Sequence, residues 1–277
     1  MNPPNISVIV TTHNWPEALT EVLRGLAAQH TRPLEVLIAD DGSTPETARR
    51  IASLAATLPF PLQHVWQEHR GFRAGRARNR AAALARGDYL VFLDGDCVPL
   101  PPFIGGHAQL AEPGRFVAGQ RILLSPEATR RWLHHGARLS EAGPLQWLAA
   151  RWRGDVNRLA PLFPLLPAAL PRPRSKRWQG VQTCNLGLWR SDFEAVNGFD
   201  AAFVGWGHED ADLAVRLIRR GLTRKSGRFA TPVLHLWHPP AARDRARDNR
   251  SLLDATLRGE RPVVAVQGLR EDAAEAP

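Results

Sequence analysis

The chain has 277 residues, 44% hydrophobic and 23% charged, enough for one large α/β domain or two small ones with a sizeable core. Its net charge of +9 fits a polyanionic ligand such as a nucleotide phosphate, nucleic acid or an anionic membrane, although arginine-rich composition alone accounts for part of it. Two distant cysteines, Cys97 and Cys184, exclude a disulfide framework or zinc spacing; no run reaches bilayer-spanning length and no signal-peptide pattern opens the chain, so a reducing, cytoplasmic setting is expected.

Ile6 to Thr12 is a β-branched run suited to a strand buried on both faces. A helix follows, with Pro16 in its first turn and Leu19, Val22, Leu23 and Leu26 at helical spacing. Residues 34–43 read as a second strand ending in Asp40-Asp41-Gly42-Ser43, and Ala48, Ile51, Leu54 and Leu58 mark a second helix. Residues 62–68 form an expected third strand. A helix closed by Gly87 comes next, and then a fourth strand over 88–96. Beyond about residue 97 the pattern loosens. Strands are expected at 115–125, 180–189 and 231–240, with a helical excursion and Pro-rich loop over 126–178. Ser191 and Glu194 match a capping box. A helix after His208 has Leu213, Ala214, Leu217 and Ile218 inside and Arg216, Arg219 and Arg220 outside.

Strands alternating with helices imply a mainly parallel sheet, with ligands beyond the carboxyl ends of its strands. Those ends carry Thr11-Thr12-His13-Asn14, Asp40-Asp41 and Asp94-Gly95-Asp96. Two carboxylates around a glycine suit Mg²⁺ or Mn²⁺ bridging a diphosphate, and an ordinary Asp-Gly turn is the plain alternative. Arg70, Arg73, Arg76, Arg78 and Arg80 crowd a glycine-containing helix start, with Arg70 and Arg73 in the loop as phosphate ligands. Trp206 between two glycines offers a stacking face, and Glu209 and Asp210 offer a general base beyond what helix capping requires. His235 and His238 are either structural or a source of one imidazole ligand.

In this order, "SVIVTTHN", "VLIADDGS", "GFRAGRARNRA", "FLDGDCV", "TCNLGLWRSDFEAVNGFD", "GWGHEDADLAVRLIRRG" and "HLWHP" resemble glycosyltransferase family 2 with the GT-A fold, and the second half is similar to bacterial chondroitin-polymerase-like and galactosyltransferase-type catalytic domains. The resemblance implies an α/β, Rossmann-like twisted sheet flanked by helices. One domain would span 1–265, with a nucleotide-binding half (1–97), an acceptor and metal half (98–240) containing the 126–178 insertion, and a disordered tail at 266–277. It implies a transferase of polysaccharide-biosynthesis type that moves a sugar from a nucleotide, UDP first, to a glycan or lipid-linked hydroxyl. Thr12, Asn14, Asp41, Arg70, Arg73, Arg78 and Asp94 would hold the nucleotide-sugar. Asp96 would hold Mn²⁺ or Mg²⁺ with His235 or His238; Asp210 would be the base; Glu209, Trp206 and Asn185 would meet the acceptor. His208 stands where the family pattern has its second glycine.

Two rivals use the same residue types. A nucleotidyltransferase also needs acidic metal ligands, but not the late Trp-Glu-Asp cluster. A nucleic-acid-binding protein would use the Arg/Trp region 130–178, yet no nucleic-acid partner is expected. That region has a third reading as a peripheral contact with the inner membrane surface.

Overall fold

The computed structural model describes residues 3–136, 138–159, 175–241 and 243–274. The Pro-rich part of the expected loop and the last residues of the expected tail lie outside these.

In chain order come β1 (Ile6–Thr12), α1 (Pro16–Ala27), β2 (Glu35–Asp40), α2 (Pro45–Ala55), β3 (Leu62–Trp66), α3 (Ala74–Leu84) and β4 (Tyr89–Asp94). Then follow β5 (Cys97–Pro99), α4 (Phe103–Leu110), β6 (Arg115–Ala118), β7 (Gln120–Leu123), α5 (Pro126–His135) and α6 (Pro144–Trp152). The second half holds β8 (Asn185–Trp189), α7 (Arg190–Ala195), α8 (Glu209–Arg219), β9 (Thr223–Ser226), β10 (Pro232–His235), α9 (Ala246–Arg258) and α10 (Leu269–Ala274).

A seven-stranded sheet runs β3-β2-β1-β4-β8-β6-β9, and a three-stranded sheet runs β5-β10-β7. β1 pairs in parallel with β2 and β4, while β8 is antiparallel to β4 and β6. The chain steps outward from β1 to β2 and β3, then returns to the other side of β1 at β4. That reversal opens a crevice at the carboxyl ends, where Thr11 faces Asp94 and Thr12 faces Asp40 across the ladders.

Alternation along the buried strands feeds two cores. Val8, Val10, Val36, Ile38, Val91 and Leu93 face α1 and, further out, Trp132 and Trp147. Ile9, Leu37, Ala39, Leu90 and Phe92 face the other way, against Ala77 and Ala81 of α3, Phe193 and Leu213.

Several local expectations are corrected. The run 115–125 is not one strand. It divides at Gly119, whose added Cβ would lie 2.2 Å from the Asn185 side chain, and its halves join different sheets. Gly87 does not cap α3, which ends at Leu84; its N–H donates to Ser7 Oγ at 2.8 Å, and its lack of a side chain admits β1 close by. Ser191 lies inside α7, whose cap position is Trp189, so no capping box forms there. Arg216 is 1% exposed, not on the outer face. The tail was expected to be disordered, but its Leu269–Ala274 part is helical. Asp272 there is buried, accepts from Asn79 Nδ2 at 2.7 Å and pairs with Arg76 at 3.2 Å, which ties α10 to α3.

Candidate functional site

At the crevice lies a cavity of about 380 Å³. Its lining includes Thr12, Asp41, Arg78, Asp94, Asp96 and Trp206 of the residues expected from sequence, together with both His235 and His238.

β4 delivers Asp94 to the cavity floor, and the chain then turns. The Gly95 N–H donates to Thr11 O at 2.7 Å, and a Cβ at Gly95 would meet the same oxygen at 2.8 Å. The turn sends the two carboxylates to different partners. Asp94 Oδ1 accepts from Arg78 Nη2 at 3.0 Å. Asp96 Oδ2 lies 3.2 Å from His238 Nε2 and 3.7 Å from His235 Nε2. Burial holds the Asp94 carboxyl above the usual range against the pull of Arg78, with help from neighbouring Asp96. Burial opposes the charge of Asp96 too, yet the His238 hydrogen bond and the two histidines carry it below the usual range.

Ligand atoms of Asp96, His235 and His238 lie within 4.8 Å of one another. Burial pushes His235 down to about 4, leaving a neutral imidazole, whereas the hydrogen bond to Asp96 raises His238. One carboxylate with two imidazoles is a donor set that can hold a divalent cation accepting nitrogen ligands. A second group unites Asp94, Cys97 and Cys184, the cysteines that sequence spacing separated; both are free thiols, and burial pushes Cys97 well up.

α3 delivers Arg78, whose side chain is 4% exposed. Its three donor nitrogens reach Thr11 Oγ1 at 2.8 Å, Asp94 at 3.0 Å and Glu209 Oε1 at 3.2 Å. Thus the first turn of α8 is tied to the end of β4. Glu209 and Asp210 are half-buried beside the cavity, not in its lining. Burial, reinforced by Glu209, raises the Asp210 carboxyl to about 7.

The turn before α8 has positive φ at Gly205 (84°), Gly207 (108°) and His208 (74°). His208 therefore occupies a left-handed position that glycine takes without strain, which accounts physically for a glycine preference there. Trp206 stands over the cavity with the Arg243 guanidinium 4.7 Å from its ring centre.

Other expected residues sit elsewhere. Asn185 is buried and outside the cavity lining; it bonds His107 Nε2 at 3.1 Å and Thr231 O at 2.6 Å, joining three segments. Arg70 is exposed and paired with Glu68 at 2.7 Å. Arg73 uses its backbone N–H on Asp41 Oδ2 at 2.6 Å, while its guanidinium turns to Glu68 O. Asn14 staples two loops by accepting from Thr44 N–H at 2.8 Å. Asp41 does line the cavity, with Oδ1 held by Gln67 Nε2 at 2.7 Å.

Residues missed from sequence complete the lining. Arg121 on β7 reaches the cavity beside Asp94 and Asp96 and has no ion pair within 4.0 Å among the described residues. Its place follows from the Gly119 break, which no local pattern announces. His13 stacks on His69 with ring centres 4.6 Å apart, both near the carbonyl of Asp41. Trp15, Phe72 and Arg243 are further lining residues. Among the described residues no helix is long and apolar enough to cross a membrane.

The model of "Glycosyl transferase family 2" matches residues 7–162, and that of "N-terminal domain of galactosyltransferase" matches 169–238. Validoxylamine A glucosyltransferase of Streptomyces hygroscopicus subsp. limoneus is 34% identical over 79% of this chain and 49% of its own length. Hyaluronan synthase of Pasteurella multocida is 28% identical over 78% of this chain and 23% of its own. The chain thus spans about half the length of the first relative and about a quarter of the second. Among solved structures, the mannosyltransferase PcManGT of Pyrobaculum calidifontis, in complex with GDP-Man and Mn²⁺, matches with TM-score 0.58 and 20% identity over 99% of this chain and 70% of its own. S. aureus TarS 1–349 in complex with UDP matches with TM-score 0.59 and 15% identity over 91% of this chain and 65% of its own. These likenesses establish the GT-A fold. Together with the family-model match over more than half the chain, they support one conclusion: the chain belongs to glycosyl transferase family 2.

Proposed function

We propose that the protein is an inverting glycosyltransferase that moves a sugar from a nucleotide-sugar, UDP-linked by first choice, to a hydroxyl of a glycan or lipid-linked acceptor. The observation that carries this reading is Arg78, which links the end of β4, beside the Asp96-His235-His238 cluster, to the Glu209-Asp210 pair in one site. Support also comes from the nucleotide ligands of PcManGT and TarS and from the glucosyltransferase and hyaluronan synthase names of the relatives.

Asp96, His235 and His238 would hold a divalent cation, Mn²⁺ by analogy with the PcManGT complex, which would supply positive charge to the diphosphate leaving group. Arg121 adds a second cation from the same wall. Thr12 and Asp41, at the ends of β1 and β2, would border the nucleoside, with His13 and His69 stacked beside them. Trp206 would cover the sugar or the acceptor. Asp210 takes the proton of the acceptor hydroxyl, whose oxygen forms the new bond to the anomeric carbon as the bond to the diphosphate breaks on the opposite face. An α-linked donor then yields a β-linked product. Glu209, fixed by Arg78, orients the acceptor.

The test is a nucleotide-release assay across UDP-, GDP- and dTDP-sugars with Mn²⁺. Release of the nucleoside diphosphate from at least one donor is expected. Release from none, or pyrophosphate release from a nucleoside triphosphate and sugar phosphate instead, overturns the reading.

A further inference from the structure

Helix α6 has an apolar face that the described residues leave uncovered. Leu145, Leu148 and Trp152 are 81%, 51% and 90% exposed. At spacings of three and seven residues they fall on one stripe of the helix. Trp147 and Ala150, on the opposite side, are buried in the core with Trp132, Leu124 and Val156, so the exposed stripe belongs to an anchored helix. Single exposed leucines need no explanation, but three large apolar side chains aligned on one short helix form a patch.

The surroundings are basic. Arg151 and Arg153 flank the stripe on its two sides, and both are exposed. Residues 126–159 carry six arginines against three carboxylates, and Arg130, Arg131, Arg138 and Arg153 are ion-paired. Arg151 has no ion pair within 4.0 Å among the described residues, while Arg153 is paired with Asp155 at 2.9 Å. An anionic lipid surface satisfies both features: acyl chains accept the Leu-Leu-Trp stripe, and headgroup phosphates meet the flanking guanidinium groups.

We propose that the outer face of α6 docks the protein on anionic membrane surfaces by inserting Leu145, Leu148 and Trp152 at the headgroup boundary. The proposal is independent of the transfer reaction, since the stripe lies outside the cavity that holds the Asp96 cluster.

The purified full chain is floated with vesicles of phosphatidylcholine alone or with phosphatidylglycerol added. It is expected to float with the anionic vesicles, to be released by high salt, and to remain behind with phosphatidylcholine alone. The triple variant Leu145→Ser/Leu148→Ser/Trp152→Ser should lose roughly tenfold or more in partitioning with an unchanged melting temperature. Equal flotation of the variant, or no flotation of the wild type, overturns the proposal. A wild-type dimer that the variant converts to monomer, without vesicle binding, assigns the face to a second copy and overturns it too. A clear drop in melting temperature places the stripe inside the molecule in solution, with the same consequence.

Discussion

Arg78 Nη1 stands 3.2 Å from Oε1 of Glu209, a residue 131 positions further along the chain. This contact joins the two halves of the site, and its guanidinium also lowers the pKa of neighbouring Asp210. Replacing Arg78 with Gln removes that charge. The expected results are a large fall in kcat and a pH–rate midpoint moved upward from that of the wild type, read from kcat against pH.

Asp210 is raised to about 7 by burial and by Glu209. A base must be ionised to accept a proton, so the rate should climb with pH through about 7 and level off above it. The stability sign is the reverse. A carboxyl with a raised folded-state pKa contributes stability at low pH that is lost as pH rises from 3.8 to about 7. Asp210→Asn removes the base and that cost together. It should abolish transfer, leave UDP binding nearly intact and melt at a higher temperature than wild type at pH 8. Normal transfer by the variant would remove Asp210 as base.

His235→Ala and His238→Ala should each weaken Mn²⁺ binding about tenfold or more, measured by titration calorimetry on the purified protein. Asn185→Asp serves as the contrast. It alters a buried junction outside the cavity and should lower the melting temperature without changing Mn²⁺ affinity.

Asp212 and Arg216 form a buried pair at 2.7 Å, with side chains 0% and 1% exposed. Thr256 Oγ1 also donates to Asp212, and the Arg216 guanidinium donates to Val196 O and Gly198 O. Arg216→Met strands a buried carboxylate and should cost about 3–5 kcal/mol in urea unfolding. Adding Asp212→Asn should recover part of that loss.

Much of the first half was readable because its signals are local. Buried parallel strands appear as short β-branched runs, helices as a 3.6-residue period, and strand ends as Asp and Thr clusters placed where such a sheet binds ligands. That logic pointed to Thr12, Asp41, Asp94 and Asp96, which the fold brings to one cavity. Residue type and spacing alone do not say where a side chain points. Helical period puts Arg216 on the outside, yet burial with Asp212 places it within. Asn185 has the chemistry of a sugar ligand, but its amide is engaged by the His107 ring and by the carbonyls of Gln120 and Thr231.

The sequence by itself determined the α/β class, the order of the main elements and which strand ends are polar, because these depend on neighbours a few residues away. Tertiary structure decided that Asp94 serves Arg78 while Asp96 serves two histidines, that Arg121 enters the cavity from a broken strand, and that the tail folds back on α3. Those outcomes depend on contacts between segments far apart in the chain. There, burial converts each polar group into one that requires a specific partner.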